Sequence, residues 1–249
     1  MTATTASLRP RTDRSAGVRL CLIEGFELAI DGAVVSAPLA AQRLVAFLAL
    51  HSRPLHRNYV AGSLWLDKTD SRATSNLRSA LWRTHGFGER LLRSSRTHIS
   101  LADDVYVDVA EADDIARRLL SDKVGDVDVY ADVDAELLSG ALLPDWYDEW
   151  VVVERERLRQ LCLNALEELS ASMLAQGRVA LAADAAFSVV ALEPLRESAQ
   201  RALVEAHLAA GNCGAAARQY EHYRAQLREA LGLDPSSAFD KRIAAALSS

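Results

Sequence analysis

Cysteine is scarce in this chain: three in 249 residues, Cys21, Cys162 and Cys213, far apart and odd in number. Without a C-x-x-C or a Cys/His cluster, neither a disulfide framework, a zinc site nor a dithiol redox centre is supported. The three read as small buried hydrophobes in a reducing compartment. The six histidines are scattered, none with a second His or a Cys at i+3 or i+4. G-x-S-x-G, H-E-x-x-H and the P-loop are all missing, so the sequence assigns no catalytic residue, no metal and no cofactor, and an enzyme is not expected. No run of about 18 apolar residues exists, so no membrane span is expected. The run "VALAADAAFSVVAL" (179–192) is too short and reads as a buried helix. The first 16 residues, rich in Thr, Ser and Arg, lack the apolar core of a secretory signal and read as a disordered tail. These absences together point to a cytoplasmic protein.

What is present is a globular composition, 50% hydrophobic and 25% charged, long enough for two modest domains. The net charge of −6 conceals an asymmetry. Residues 1–102 carry 14 Lys+Arg against 7 Asp+Glu, a net of +7; residues 103–249 carry 14 against 27, a net of −13. A basic front half joined to an acidic back half suggests a polyanion-binding domain followed by something else.

The basic half opens with strand patterns. Val18, Leu20 and Leu22 alternate with Arg19 and Cys21, and Phe26, Leu28 and Ile30 alternate with Glu27 and Ala29. Asp31-Gly32 marks a hairpin turn. "LAAQRLVAFLALH" (39–51) has helical spacing at Ala41, Leu44, Val45 and Leu48, with Pro54 beyond it. "HRNYVAGSLWL" (56–66) makes a second short helix with Val60 and Leu64 inward and Trp65 a third candidate.

A third helix, "SRATSNLRSALWRT" (71–84), contains no acidic residue. Ser71 or Asp70 can cap it. At about 100° per residue, Ala73, Leu77, Ala80, Leu81 and Thr84 fall on one side. Arg72, Ser75, Ser79 and Arg83 fall on the other, flanked by Asn76, Arg78 and Trp82. "RLLRSSRTHISL" (90–101) then reads as a hairpin, with Arg93 and Arg96 near its tip and His98 opening the second arm. "VYVDV" (105–109) adds a further strand candidate.

Strands, three helices and a basic hairpin are the order of a winged helix behind an N-terminal sheet. In that fold the third helix enters the major groove, where Arg pairs bidentately with guanine and Asn with adenine. Ser and Thr mostly reach phosphates, and a basic wing reaches backbone or minor groove. The candidate DNA-binding residues are therefore Arg72, Ser75, Asn76, Arg78, Ser79, Arg83, Arg93, Arg96 and His98. A solvated helix under a surface hairpin is the plainer alternative.

"FELAIDGAVV", the helix around Leu44 to Leu50, "LW" at 64–65 and "NLRSALWR" at 76–83 resemble the OmpR-type winged helix of the SARP-type activators, the Streptomyces antibiotic regulatory protein family. Leu77, Leu81 and Arg83 stand where that family's recognition helices carry Leu, an aliphatic residue and Arg. The chain departs from the family at "LDKTDS" after Trp65, which lacks the usual prolines. It departs again at Trp82, where a small polar residue is common. Base contacts are therefore not carried over.

The acidic half begins near 109. Ile115, Leu119 and Leu120 suggest one short helix. In "LLPDWYDEW" (142–150), Trp146, Tyr147 and Trp150 offer either a cation or sugar site or, more simply, core packing. Only helices follow, and they repeat. Gly177 and Gly211 are 34 residues apart, and Leu174 aligns with Leu208 and Leu169 with Leu203. That period, with small residues at packing positions and Gly between paired helices, is the tetratricopeptide (TPR) pattern, whose stacks present a groove to a protein or peptide. Pro194 and Pro235 read as helix openers.

This half resembles the bacterial transcriptional activation domain of SARP-type proteins, through "ERERLRQLCLNALEEL" (154–169) and the stretch 191–236 ending in "GLDPS". The expected fold is mainly α with a small β component. After the tail (1–16) come a winged-helix DNA-binding domain (17–108) and a TPR-like activation domain (109–249), with no ATPase or sensor module. The resemblance implies an activator that binds promoter direct repeats, often as a side-by-side pair, and contacts RNA polymerase including sigma factor. A secondary-metabolite cluster and the nucleoid are its expected setting. The rival reading is a TPR-type scaffold or co-regulator whose winged helix binds DNA weakly or not at all.

Overall fold

The computed structural model describes residues 17–84, 86–121 and 135–247. The tail expected over residues 1–16 lies outside them. The chain divides into two compact units, 1–108 and 109–249.

In the first unit, β1 (Val18–Cys21), β2 (Glu27–Ile30), β3 (Ala33–Val34) and β7 (Tyr106–Val107) form a sheet in the order β3-β2-β1-β7. β1 and β2 are antiparallel, while β7 returns parallel to β1. Val18, Leu20 and Leu28 are buried, as the alternation requires. Asp31 and Gly32 both have positive φ, at 48° and 81°, the geometry of a tight hairpin turn. Asp31 does more than turn the chain. Its carboxylate accepts from the Gly17 N–H (3.0 Å) and from both ends of the Arg90 guanidinium (2.5 and 3.0 Å).

Between these strands lie α1 (Leu39–Ala49), α2 (Arg57–Leu64) and α3 (Asp70–Arg83). Leu44, Val45, Phe47 and Leu48 of α1 and Val60 and Leu64 of α2 are buried; Trp65 is half-buried. A second sheet, in the order β4-β6-β5, joins β4 (Leu55–His56) to the hairpin of β5 (Leu92–Ser94) and β6 (His98–Leu101). This unit is a winged helix with an N-terminal sheet. A single helical turn, α4 (Gly88–Leu91), leads into that hairpin.

Helix α5 (Asp108–Leu120) starts earlier than Ile115, Leu119 and Leu120 alone suggested. Asp108 explains why. Its buried carboxylate accepts the Leu22 N–H at 2.9 and 3.0 Å and the Ile23 N–H at 3.0 Å. That fixes the chain as it leaves β7, so the strand stops at Val107 instead of running to Val109.

The second unit is helical: α6 (Ala135–Ser139), α7 (Glu149–Ala175), α8 (Val179–Leu192), α9 (Glu197–Ala209), α10 (Cys213–Leu231) and α11 (Ser237–Leu247). The 34-residue repeat is visible bond for bond. Gly177 and Gly211 both have φ 73°. The Gly177 N–H donates to the Leu174 carbonyl and the Arg178 N–H to that of Met173; the Gly211 and Asn212 N–H groups repeat this on Leu208 and His207. Left-handed glycine closes both helices because a Cβ there would be strained.

Four expectations need correction here. Of the three cysteines read as buried, only Cys162 is; Cys21 is half-buried and Cys213, opening α10, is exposed. Helix α8 is not buried all round: Ala182, Ala185, Ala186 and Val189 are, but Leu181 and Phe187 are exposed, because a helix between two neighbours covers only part of its circumference. Leu174 and Leu208 are half-buried, while Leu169 and Leu203 are the buried pair, at 7% and 4% exposure. Pro194 and Pro235 sit in the turns before α9 and α11 rather than at their first positions. The Pro194 carbonyl is occupied by the buried Gln200 side chain at 2.7 Å, which holds that turn outside the helix.

Polar groups tie the stack together. Ser170 donates to the Ala182 carbonyl (2.8 Å), and Gln219 to Gln200 (2.7 Å). Arg196 forks onto Glu167 (2.8 and 2.9 Å) and Asn164 (2.6 Å). Tyr220, Tyr223, Leu227, Phe239 and Ile243 close the last core. Burial and the neighbouring Asp240 carboxylate push the Tyr220 hydroxyl up to about 12. Trp146 and Trp150 meet edge to face at 6.3 Å, while Tyr147 is exposed. Arg155 donates to the carbonyls of Leu142, Leu143 and Trp146 beneath them.

Candidate nucleic-acid interface

Helix α3 is cut sharply into two faces. Ala73, Leu77 and Ala80 are buried, and Thr84, 3% exposed, ends the helix by donating its hydroxyl to the Leu81 carbonyl (2.8 Å). The N-cap is Thr69, neither Asp70 nor Ser71; it holds extended backbone and makes no side-chain cap bond. Asp70 instead lies in the first turn, where a carboxylate suits the positive end of the helix dipole.

Arg72, Ser75, Arg78, Ser79 and Arg83 all lie exposed on the outer face, and Asn76 is half-buried at its edge. Trp82 belongs to the middle of that face rather than its flank. It is 75% exposed. Seven residues separate it from Ser75, nearly two full turns, so the two point the same way.

The hairpin presents Arg93, Arg96 and His98, all exposed. Its turn is held by Ser95, whose N–H donates to the His98 carbonyl (2.9 Å) and whose hydroxyl accepts from the His98 N–H (3.0 Å). Arg96 therefore sits at a fixed tip. Arg93 is partly engaged: it lies 3.8 Å from Asp104 and 3.4 Å from the Glu89 carbonyl. His98 shares a 2.9 Å hydrogen bond between its Nδ1 and the Thr97 hydroxyl, and its ring stands edge-on to His56 at 5.5 Å.

Sequence reasoning missed one contributor. Arg57 opens α2, gives its backbone N–H to the Thr97 carbonyl (2.9 Å) and its guanidinium to the Ser94 hydroxyl (2.6 Å). It braces the hairpin from the helix side. The pairing of β4 with β6, His56 opposite His98, brings it there. Apolar spacing, the signal used for 56–66, is blind to this.

Electrostatically the face is unusual. Among the described residues, Arg72, Arg78, Arg83 and Arg96 make no hydrogen bond and no ion pair. Elsewhere most guanidinium groups are spent internally: Arg117 on Asp113, Arg159 on Glu156, Arg196 on Glu167, Arg228 on Asp234 and Arg242 on Glu205. Arg178, Arg201 and Arg218 are exceptions in the helical unit, on three different helices or turns. No group of His, Cys, Asp and Glu among the described residues could hold a metal. No helix of these residues is long and apolar enough to cross a membrane.

Residues 110–247, more than half of the chain, match the family described as bacterial transcriptional activator domain. The chain belongs to the bacterial transcriptional activator domain family. The family and fold agree with the SARP-type resemblance drawn from the sequence. Mycobacterium tuberculosis EmbR, solved in complex with a low affinity phosphopeptide, is similar in structure, with a TM-score of 0.65 and 20% identity over 93% of this chain. That likeness is one of fold. This member of the family spans 65% of the length of that EmbR chain. No curated protein matches it.

Proposed function

We propose that this chain activates transcription by binding promoter DNA through α3 and the β5–β6 hairpin and by contacting RNA polymerase through its helical unit. The observation that carries the reading is the set of four arginines, Arg72, Arg78, Arg83 and Arg96, left without internal counter-charges in one compact unit. Guanidinium groups free of carboxylates keep their donors for phosphates and guanine edges. In this reading residues 17–108 are the DNA-binding domain and 109–249 the activation domain. Arg72, Arg78 and Arg83 read bases or clamp phosphates, Ser75, Ser79 and Asn76 fix the helix in the groove, and Arg93, Arg96 and His98 follow the backbone.

Family membership supports the activator role. The finer reading has direct-repeat sites filled by a side-by-side pair, contact with sigma factor and control of a secondary-metabolite cluster. It also places the protein in the cytoplasm, on the nucleoid. The test is a mobility shift of the full chain on duplexes from its own genomic neighbourhood, followed by transcription with purified polymerase. A specific shift and a gain in transcript are expected. Failure to shift any such duplex at low salt would refute the DNA reading and favour the scaffold.

A further inference from the structure

Trp82 is exposed where a folded protein gains nothing from it. The ring makes no contact with another ring and the side chain no hydrogen bond among the described residues. Packing of α3 is carried by Ala73, Leu77, Ala80 and Thr84 on the opposite side. The other tryptophans are used: Trp65 ends α2, and Trp146 and Trp150 pack on each other. An indole held out at 75% exposure is an apolar surface awaiting a partner.

Its surroundings decide the chemistry of that partner. One turn below the ring lie Arg78 and Ser79, two turns below lies Ser75, and Arg83 follows it in the chain. Residues 71–84 contain no carboxylate, and the three helix arginines are unpaired. The face therefore favours a polyanion. A duplex major groove adds one apolar feature to its phosphates and base edges, the thymine C5-methyl. An indole has a flat apolar face and a single N–H donor, so it suits that methyl better than any base's paired donors and acceptors.

We propose that Trp82 packs against a thymine methyl in the major groove and sets a thymine preference at one position of the binding site. The proposal rests on the DNA-binding reading above. Four residues of helix rise about 6 Å, close to two base steps along a strand. The thymine accordingly lies within about two steps of the base or phosphate met by Arg78.

The experiment selects duplexes from a random pool with the full chain. Each thymine of the selected site is then replaced in turn by deoxyuridine, which removes only the methyl. Binding is read by fluorescence anisotropy. The wild-type chain should lose about fourfold at one position, the value of burying one methyl. Trp82→Ala should bind more weakly to the parent site, melt like wild type and show no deoxyuridine loss there. Trp82→Phe should regain part of that sensitivity, and Arg78→Ala should keep it. An equal deoxyuridine loss in wild type and Trp82→Ala overturns the proposal. So does a Trp82→Ala chain that loses self-association in the ultracentrifuge with an unchanged deoxyuridine profile, which assigns the ring to a protein contact. If Arg72→Ala, Arg78→Ala and Arg83→Ala weaken binding and Trp82→Ala does not, only the tryptophan assignment falls. If the wild-type chain selects no site, it falls together with the DNA-binding reading.

Discussion

Replacing Arg96 by Ala should flatten the salt dependence of DNA binding by about one charge. The magnitude follows from the charge inventory. Each cation that neutralises a phosphate contributes about −0.9 to the slope of log K against log salt. On α3 and the β5–β6 hairpin four guanidinium groups are unpaired, Arg72, Arg78, Arg83 and Arg96, so a slope of about −3.6 is expected if all four meet phosphates. Arg93, at 3.8 Å from Asp104 with both side chains largely exposed, can exchange that weak pair for a phosphate and bring the slope to about −4.5. Between 50 and 200 mM salt the wild-type chain should therefore lose about two to three orders of magnitude in affinity. Arg96→Ala should lose roughly fourfold less over the same range, with every sequence weakened alike.

Two controls locate the effect. Arg90→Ala should leave the slope alone, because the Arg90 guanidinium is already committed to Asp31. Arg201→Ala should also leave it alone: that arginine is exposed and unpaired, but it lies on α9 of the helical unit. Fluorescence anisotropy over a salt series measures all four chains. A flat response in the wild type, or equal flattening by Arg96→Ala and Arg201→Ala, would refute the assignment of the interface to the first unit.

Other perturbations address single residues. Changing Arg72, Arg78 or Arg83 to Ala, where the arginine reads a base, should cost ~1–3 kcal/mol and relax specificity at one base pair, measured on a panel of point-substituted sites. Leu203→Ala should cost ~2–5 kcal/mol in urea unfolding followed by helical circular dichroism, and the half-buried Leu208→Ala clearly less. Asp108→Ala strands the Leu22 and Ile23 N–H groups and should cost ~2–5 kcal/mol by the same measurement, with Asp108→Asn milder because one acceptor oxygen survives. The Arg90 guanidinium, and then the Gly17 N–H, hold the Asp31 carboxyl down at about 2. A lowered folded value means the tether is fully present above the free carboxylate value of 3.8 and is lost as pH falls through about 2. The Gly17 amide resonance should follow that titration, and in Arg90→Ala its midpoint should move up toward 3.8.

The fold was legible where local chemistry is decisive. Asp31-Gly32 turns because both positions take positive φ, and Gly177 and Gly211 close helices for the same reason, so residue type alone marked both. The two faces of α3 followed from apolar spacing, since a buried stripe needs only periodicity. What stayed hidden depends on partners distant in sequence. The role of Asp108 lies in bonds to Leu22 and Ile23, and that of Arg57 in bonds to Ser94 and Thr97. Nor could spacing tell Leu203 from Leu208, because both fit the repeat and only the neighbouring helices decide which is covered.

The candidate interface shows the same division. Periodicity could place Arg72, Arg78 and Arg83 on one face, but could not say whether they were free. In the helical unit, several arginines at i+3 or i+4 from a carboxylate pair with it, as Arg157 does with Glu154 and Arg117 with Asp113. In α3 the one carboxylate, Asp70, stands too near the start to reach Arg78 or Arg83, and it makes no pair with Arg72. A helix that omits the acids its arginines would otherwise find has its cations available to another molecule. Net charge therefore carries less information about partners than the pairing of each charge. The −13 half holds most of its arginines in internal bridges, and the +7 half leaves four unbridged on the two elements that a winged helix offers to DNA.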